Sequence, residues 1–118
     1  MDKTKWKIAN DPHTSPEILA GLAQERDWLI RIAVARNNNT PPEVLKELAK
    51  DMETSVRKHV AGNPHTPVDT LDQLAKDRDF MVRGDASRNP SMRLETVEML
   101  AEDKNYTVRK NAIESGRV

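Results

Sequence analysis

A step of 26 residues governs this sequence. Arg31, Arg57, Arg83 and Arg109 follow one another at that interval, each behind a branched aliphatic residue: Ile30, Val56, Val82 and Val108. Leu22, Leu48, Leu74 and Leu100 keep the same step, each followed by alanine. So do Asn37, Asn63 and Asn89, with Asp11 in the slot before them. A fixed period of about 20–50 residues marks a stack of similar units, none of which can bury its apolar face alone.

Each unit reads as two helices. Thr14, Thr40 and Thr66 are the expected N-caps of the first, and Glu17 and Glu43 complete capping boxes. Asp69 is a shorter variant whose charge suits a helix start. Pro16, Pro41, Pro42 and Pro67 fall in the first turn, where a missing N–H costs nothing. Val44, Leu45, Leu48 and Ala49 form an apolar stripe at helical spacing, and the helix is expected to end near Lys50 and Asp51. The second helix starts at Asp27, Glu53, Asp79 or Asn105, with Thr54 an alternative cap to Glu53. It should bury Val56, Val60 and Ala61 and stop at Asn63-Pro64, because the residue before proline avoids the helical region.

One domain over residues 1–118 is expected: a half-repeat helix at 3–11, then repeats 12–37, 38–63, 64–89 and 90–115. Lys5 takes the arginine slot of the half-repeat, Ile8 the slot of Val34 and Trp6 that of Ile32. The last repeat departs from the pattern. Met92 replaces the threonine, leaving Ser91 as an earlier cap, Arg93 replaces a proline, and Glu114 closes the helix with a charge. Atypical end units are expected where one face meets solvent. The fold class is therefore all-α, a solenoid of about four two-helix repeats.

Composition narrows the function. Aromatics are only 3%, so the core must be aliphatic. Acids and bases balance at 19 each, unlike a strongly basic nucleic-acid binder. Cysteine is absent, which excludes a disulfide, a thiolate nucleophile and a thiolate metal site. No apolar run reaches membrane length, and Met1 to Asn10 is too polar for a signal peptide, so a cytoplasmic location is expected. The serines lack a glycine elbow and an associated base, and no glycine loop could cradle phosphate. His13 and His65 occupy equivalent slots two units apart, too far to share a metal, and His59 has no second ligand beside it. We expect no enzyme activity, no cofactor and no metal.

The pattern NPxTPxxxLxxLAxDxxxxVRxxVAxN, carried by Asn63, Pro64, His65, Thr66 and Pro67 and by Val82-Arg83, resembles leucine-rich-repeat variant (LRV) proteins. An acid followed six residues on by arginine is also similar to HEAT repeats; here the pairs are Glu25/Arg31, Asp51/Arg57, Asp77/Arg83 and Asp103/Arg109. The resemblance implies a right-handed superhelix of paired helices, an acid–arginine ladder between neighbouring repeats, and a concave side lined by the second helices. A known LRV protein holds an iron–sulfur cluster in a cysteine-rich segment; this chain has no cysteine, so that feature does not carry over.

Candidate contact residues follow from this frame. Trp28, Phe80 and Tyr106 share one repeat slot, filled by Thr54 in the remaining unit. They suit either partner contacts, where aromatics are favoured, or packing on the preceding helix. The variable second-helix slots offer Leu29, Ile32, Arg36, Lys58, Met81, Arg88 and Lys110. Varied residues on a regular frame suit a protein or peptide partner. The alternatives are nucleic acid held by Arg36, Lys58, Arg88 and Lys110, including a DNA-glycosylase-like role, and a purely structural spacer.

Overall fold

The computed structural model describes residues 1–118 and contains nine α-helices and no strand. They are α1 (Lys3–Asn10), α2 (Pro16–Leu22), α3 (Trp28–Arg36), α4 (Pro42–Leu48), α5 (Thr54–Gly62), α6 (Val68–Leu74), α7 (Phe80–Ser87), α8 (Leu94–Leu100) and α9 (Tyr106–Glu114). The odd-numbered helices pack side by side in one row, α1 on α3 through to α7 on α9. Each even-numbered helix packs against the odd helices that flank it in sequence. The result is an elongated α-solenoid of 42 × 21 × 19 Å.

The aliphatic stripe forms the interior. Leu22, Leu48, Leu74 and Leu100 are all buried, as are Val44, Leu45, Ala49, Val56, Val60 and Ala61. No helix exceeds nine residues, so none would be stable alone, and the stack supplies the stability. No helix is long and apolar enough to cross a membrane.

The expected capping boxes do not form. The N-caps of α2, α4, α6 and α8 are Ser15, Pro41, Pro67 and Arg93, each one residue beyond the predicted threonine slot. Only Ser15 makes a side-chain cap bond, to the Ile18 amide. Thr14, Thr40 and Thr66 instead donate their hydroxyls backward, to the carbonyls of Ile8, Val34 and Val60 at 2.6–2.7 Å. Each thus gives a second donor to a carbonyl in the last turn of the preceding odd helix, which already accepts from the C-cap amide. Met92 fills the same slot as a buried apolar residue, and Ser91 bonds to the Pro64 carbonyl instead of capping α8. The even helices are also shorter than expected, with α4 ending at Leu48. Asp27, Asp79 and Asn105 cap α3, α7 and α9 as predicted. Glu53 remains the N-cap of α5, without a side-chain bond, and the cap does not slide to Thr54.

Two side-chain ladders tie one layer to the next. In the first, Asn63 Nδ2 donates to the Ala35 carbonyl at 2.8 Å and the Asn37 carbonyl at 3.3 Å, while its Oδ1 accepts from the His65 amide at 2.8 Å. Asn37 and Asn89 repeat the arrangement one layer to either side. The donors and the acceptor of each amide are thus all used, as burial requires.

The second ladder pairs three of the four repeat arginines with the acid of the following layer. Arg31, Arg57 and Arg83 clasp Asp51, Asp77 and Asp103 through Nε and Nη2 at 2.8–3.3 Å. Their Nη1 groups donate to the carbonyls of Glu25, Asp51 and Asp77 in their own loops. The carboxylates also accept from the amides of Glu53, Asp79 and Asn105, which fixes the loops that start the odd helices. Lys5 and Glu25 form the first rung at 3.1 Å. The side-chain bond to Asp51, opposed by burial, holds the Arg31 guanidinium above its ordinary value.

At Asp103, burial alone would raise the carboxyl. The Arg83 side chain, the Asn105 amide and the charges of Arg83 and Lys104 together outweigh it and hold the pKa below its ordinary 3.8. A group depressed on folding stabilises the folded state in full above its unfolded value and loses that contribution as pH falls through the folded value. We therefore expect the stability gap between the native chain and Asp103→Asn to be constant above about pH 4 and to narrow below it. Thermal melts of both proteins between about pH 2 and 7 measure this; a gap independent of pH would contradict the assignment.

Candidate functional site

The odd helices present two separate sets of candidate residues. Trp28, Phe80 and Tyr106 are the first residues of α3, α7 and α9, with Leu29 and Met81 beside them. All five are large side chains left more than a third exposed. The aromatic slot lies one turn before the ladder arginine: the Tyr106 ring sits 5.9 Å from the Arg109 guanidinium, and Thr54 Oγ1 accepts from Arg57 Nη2 at 3.4 Å.

The second set lies at the opposite helix ends, about 10 Å further along each axis at about 1.5 Å per residue. There, shallow depressions run from layer to layer along the C-termini of the odd helices. One, of about 300 Å³, is bordered by Arg36, Lys58, His59, Gly62, Pro64 and Asp85. It shares Gly62 and Asp85 with a second of about 200 Å³ that adds Arg88, Asn89 and Pro90. A third continues from Arg88 and Pro90 toward the chain's last residues. Shared borders make these one groove.

Glycine keeps the groove open at its middle. Gly62 occupies the slot of Arg36 and Arg88, and a Cβ there would meet nothing within 4 Å. Gly84, in contrast, closes the helix–helix contact: a Cβ would come within 3.1 Å of Asn111 Nδ2, which donates to the Gly84 carbonyl.

Of the predicted contact residues, the groove gathers Arg36, Lys58 and Arg88. Arg36 and Arg88 are exposed and form no ion pair, whereas Lys58 is neutralised by Asp85 at 3.2 Å. Ile32 packs partly against the core, and exposed Lys110 lies outside the groove. Leu29, Met81 and the aromatics stand at the far ends of the same helices. Sequence reasoning did not pick out His59, Asn111 or Arg117 as lining residues. The first two sit in a variable slot that gave no ranking among its members, and Arg117 lies beyond the last periodic position. His59 Nδ1 is engaged by the Ser55 carbonyl at 2.7 Å. No group of three or more His, Cys, Asp or Glu side chains is placed to hold a metal ion.

No curated protein and no solved structure matches the chain. Residues 28–53 and 55–79 match the family model described as leucine rich repeat variant. Each matched segment spans an odd helix and the even helix after it, bracketing a ladder arginine and the acid that follows it. Such units fit a scaffold, and residues 28–53 and 55–79 are repeats of the leucine rich repeat variant family.

Proposed function

We propose that this protein is a non-enzymatic helical-repeat scaffold that binds a protein or peptide partner along its odd-helix face. The observation that carries this reading is the continuous groove in which Arg36 and Arg88 stand without counter-ions. Arg31, Arg57 and Arg83 of the internal ladder, by contrast, are each clasped by a carboxylate. Unpaired guanidiniums beside exposed main chain suit acidic segments, since arginine forks match carboxylates. Leu29 and Met81, exposed at 39% and 47%, supply apolar contacts at the other helix ends. The denser packing of the odd row supports a concave odd-helix side. A nucleic-acid partner finds less support: the net charge is zero, and Asp85 and Glu114 border the groove.

Panning a random peptide library against the folded protein tests this. Acidic peptides should be enriched, and Arg36→Glu with Arg88→Glu should weaken them about tenfold, or about 1.4 kcal/mol. Failure to enrich any peptide sensitive to changes on this face would overturn the reading. Salt-dependent retention on single- or double-stranded DNA would favour the nucleic-acid alternative instead.

A further inference from the structure

The groove ends in a cavity of about 310 Å³ lined by Arg88, Pro90, Asn111, Glu114, Ser115 and Arg117. Arg117, on its border, also carries the molecule's one covered side-chain polar atom without a hydrogen-bond partner, Nη1. Leaving a guanidinium N–H dry and unbonded is costly, and native structures rarely tolerate it without a purpose. The tail is held in place: the Arg117 amide donates to Ser115 Oγ, which itself donates to the Ala112 carbonyl. Asn111 is likewise fixed, through its bond to the Gly84 carbonyl. The cavity therefore has a fixed lining that includes two guanidiniums without an ion-pair partner, Arg117 and Arg88.

We propose that this cavity is a carboxylate-binding pocket that anchors an acidic residue of the partner, an inference that rests on the peptide-binding reading above. Two guanidiniums against the single Glu114 carboxylate leave one net positive charge in the lining. That balance suits a monoanionic carboxylate better than a phosphate, which carries about −1.5 to −2 near neutral pH. A planar carboxylate can also take two parallel N–H bonds from one guanidinium. The volume accommodates an aspartate or glutamate side chain. The occupant is thus an acidic side chain of a peptide running along the odd helices.

The test is a residue-resolved NMR titration of the isotope-labelled protein with acetylated tetraglutamate amide. The tetraglutamine analogue and inorganic phosphate serve as comparison probes at matched ionic strength. The tetraglutamate should give saturable shifts at Asn111, Ser115 and Arg117, and bind at least tenfold more tightly than either comparison probe. Arg117→Ala lies beyond α9 and removes an unbonded N–H, so its melting temperature should not fall while its affinity falls about tenfold; Arg117→Lys should recover only part of the loss. Shifts confined to Arg36, Lys58 and their neighbours, with Arg117→Ala behaving as the native protein, would overturn the pocket and leave the groove reading standing. Tighter binding of phosphate would overturn the carboxylate assignment. No saturable shift anywhere would overturn the pocket, while the library selection still decides the groove independently.

Discussion

Arg57→Ala is expected to destabilise the fold by about 3–5 kcal/mol, the range for breaking a buried ion pair from one side. Arg57 is only 5% exposed. Its removal leaves the Asp77 carboxylate, itself largely covered, without its cation. It also strips the Asp51 carbonyl of its Nη1 donor. Burying a charge without a partner is the dominant cost, larger than the lost hydrogen bonds themselves. Asp77→Ala should cost less than Arg57→Ala, because the guanidinium left behind keeps its bonds to the loop carbonyls. The double variant should be more stable than the sum of the single effects implies, since it removes both charges together. Arg109→Ala is the internal control. Arg109 holds the same slot and the same loop bond, to the Asp103 carbonyl at 2.8 Å, but forms no ion pair. Its loss should cost only about 1 kcal/mol, the worth of a hydrogen bond. Denaturant melts of the four variants decide this, and equal effects at Arg57 and Arg109 would rule out the ladder as the source.

The stack was legible because period and burial coincide. Leu48 and Val56 had to be interior whichever way the helices turned, and the arginines could repeat so strictly only by meeting the same environment each time. The threonines misled for a related reason. A threonine followed three residues on by an acid satisfies the local capping rule. The rule cannot see that the preceding odd helix ends nearby with the Val34 carbonyl facing Thr40. A contact six residues back across a turn competes with one three residues forward, and here the buried carbonyl wins. The last repeat shows the same limit. Glu114 reads as the terminating departure, yet its slot is exposed in all four full repeats, at Arg36, Gly62, Arg88 and Glu114. In the preceding slot Ile113 is 58% exposed, where Ala35, Ala61 and Ser87 are buried. The groove was only half legible. Arg36 and Arg88 fell into a variable slot, but whether each cation is free or neutralised depends on neighbours in the next layer. Lys58 meets Asp85 across 27 positions of sequence, a pairing no local pattern reveals.

The asparagine ladder gives the second large effect. Asn63→Ala should cost about 2–4 kcal/mol, because it leaves buried main-chain groups without partners at about 1–3 kcal/mol each. Asn63 is 3% exposed, and its amide reaches the carbonyls of Ala35 and Asn37 together with the His65 amide; of these, the Asn37 carbonyl keeps a second donor, the Thr40 amide. Asn63→Asp separates the hydrogen-bonding role from mere volume. This substitution keeps the acceptor for His65 but turns an oxygen toward two carbonyl oxygens. Near neutral pH it should therefore be at least as damaging as alanine. Repulsion and burial would raise the pKa of the new carboxyl, so the protonated form, which can donate again, should dominate as pH falls. A raised folded-state pKa adds stability below the unfolded value of about 3.9 and withdraws it as pH climbs through the folded value. Asn63→Asp should thus gain stability relative to the native chain on acidification, opposite in sign to any position where a native ladder carboxylate is protonated. Parallel melts at about pH 7 and about pH 4.5 read this directly. A deficit of Asn63→Asp that is the same at both would show that the ladder's donors contribute little.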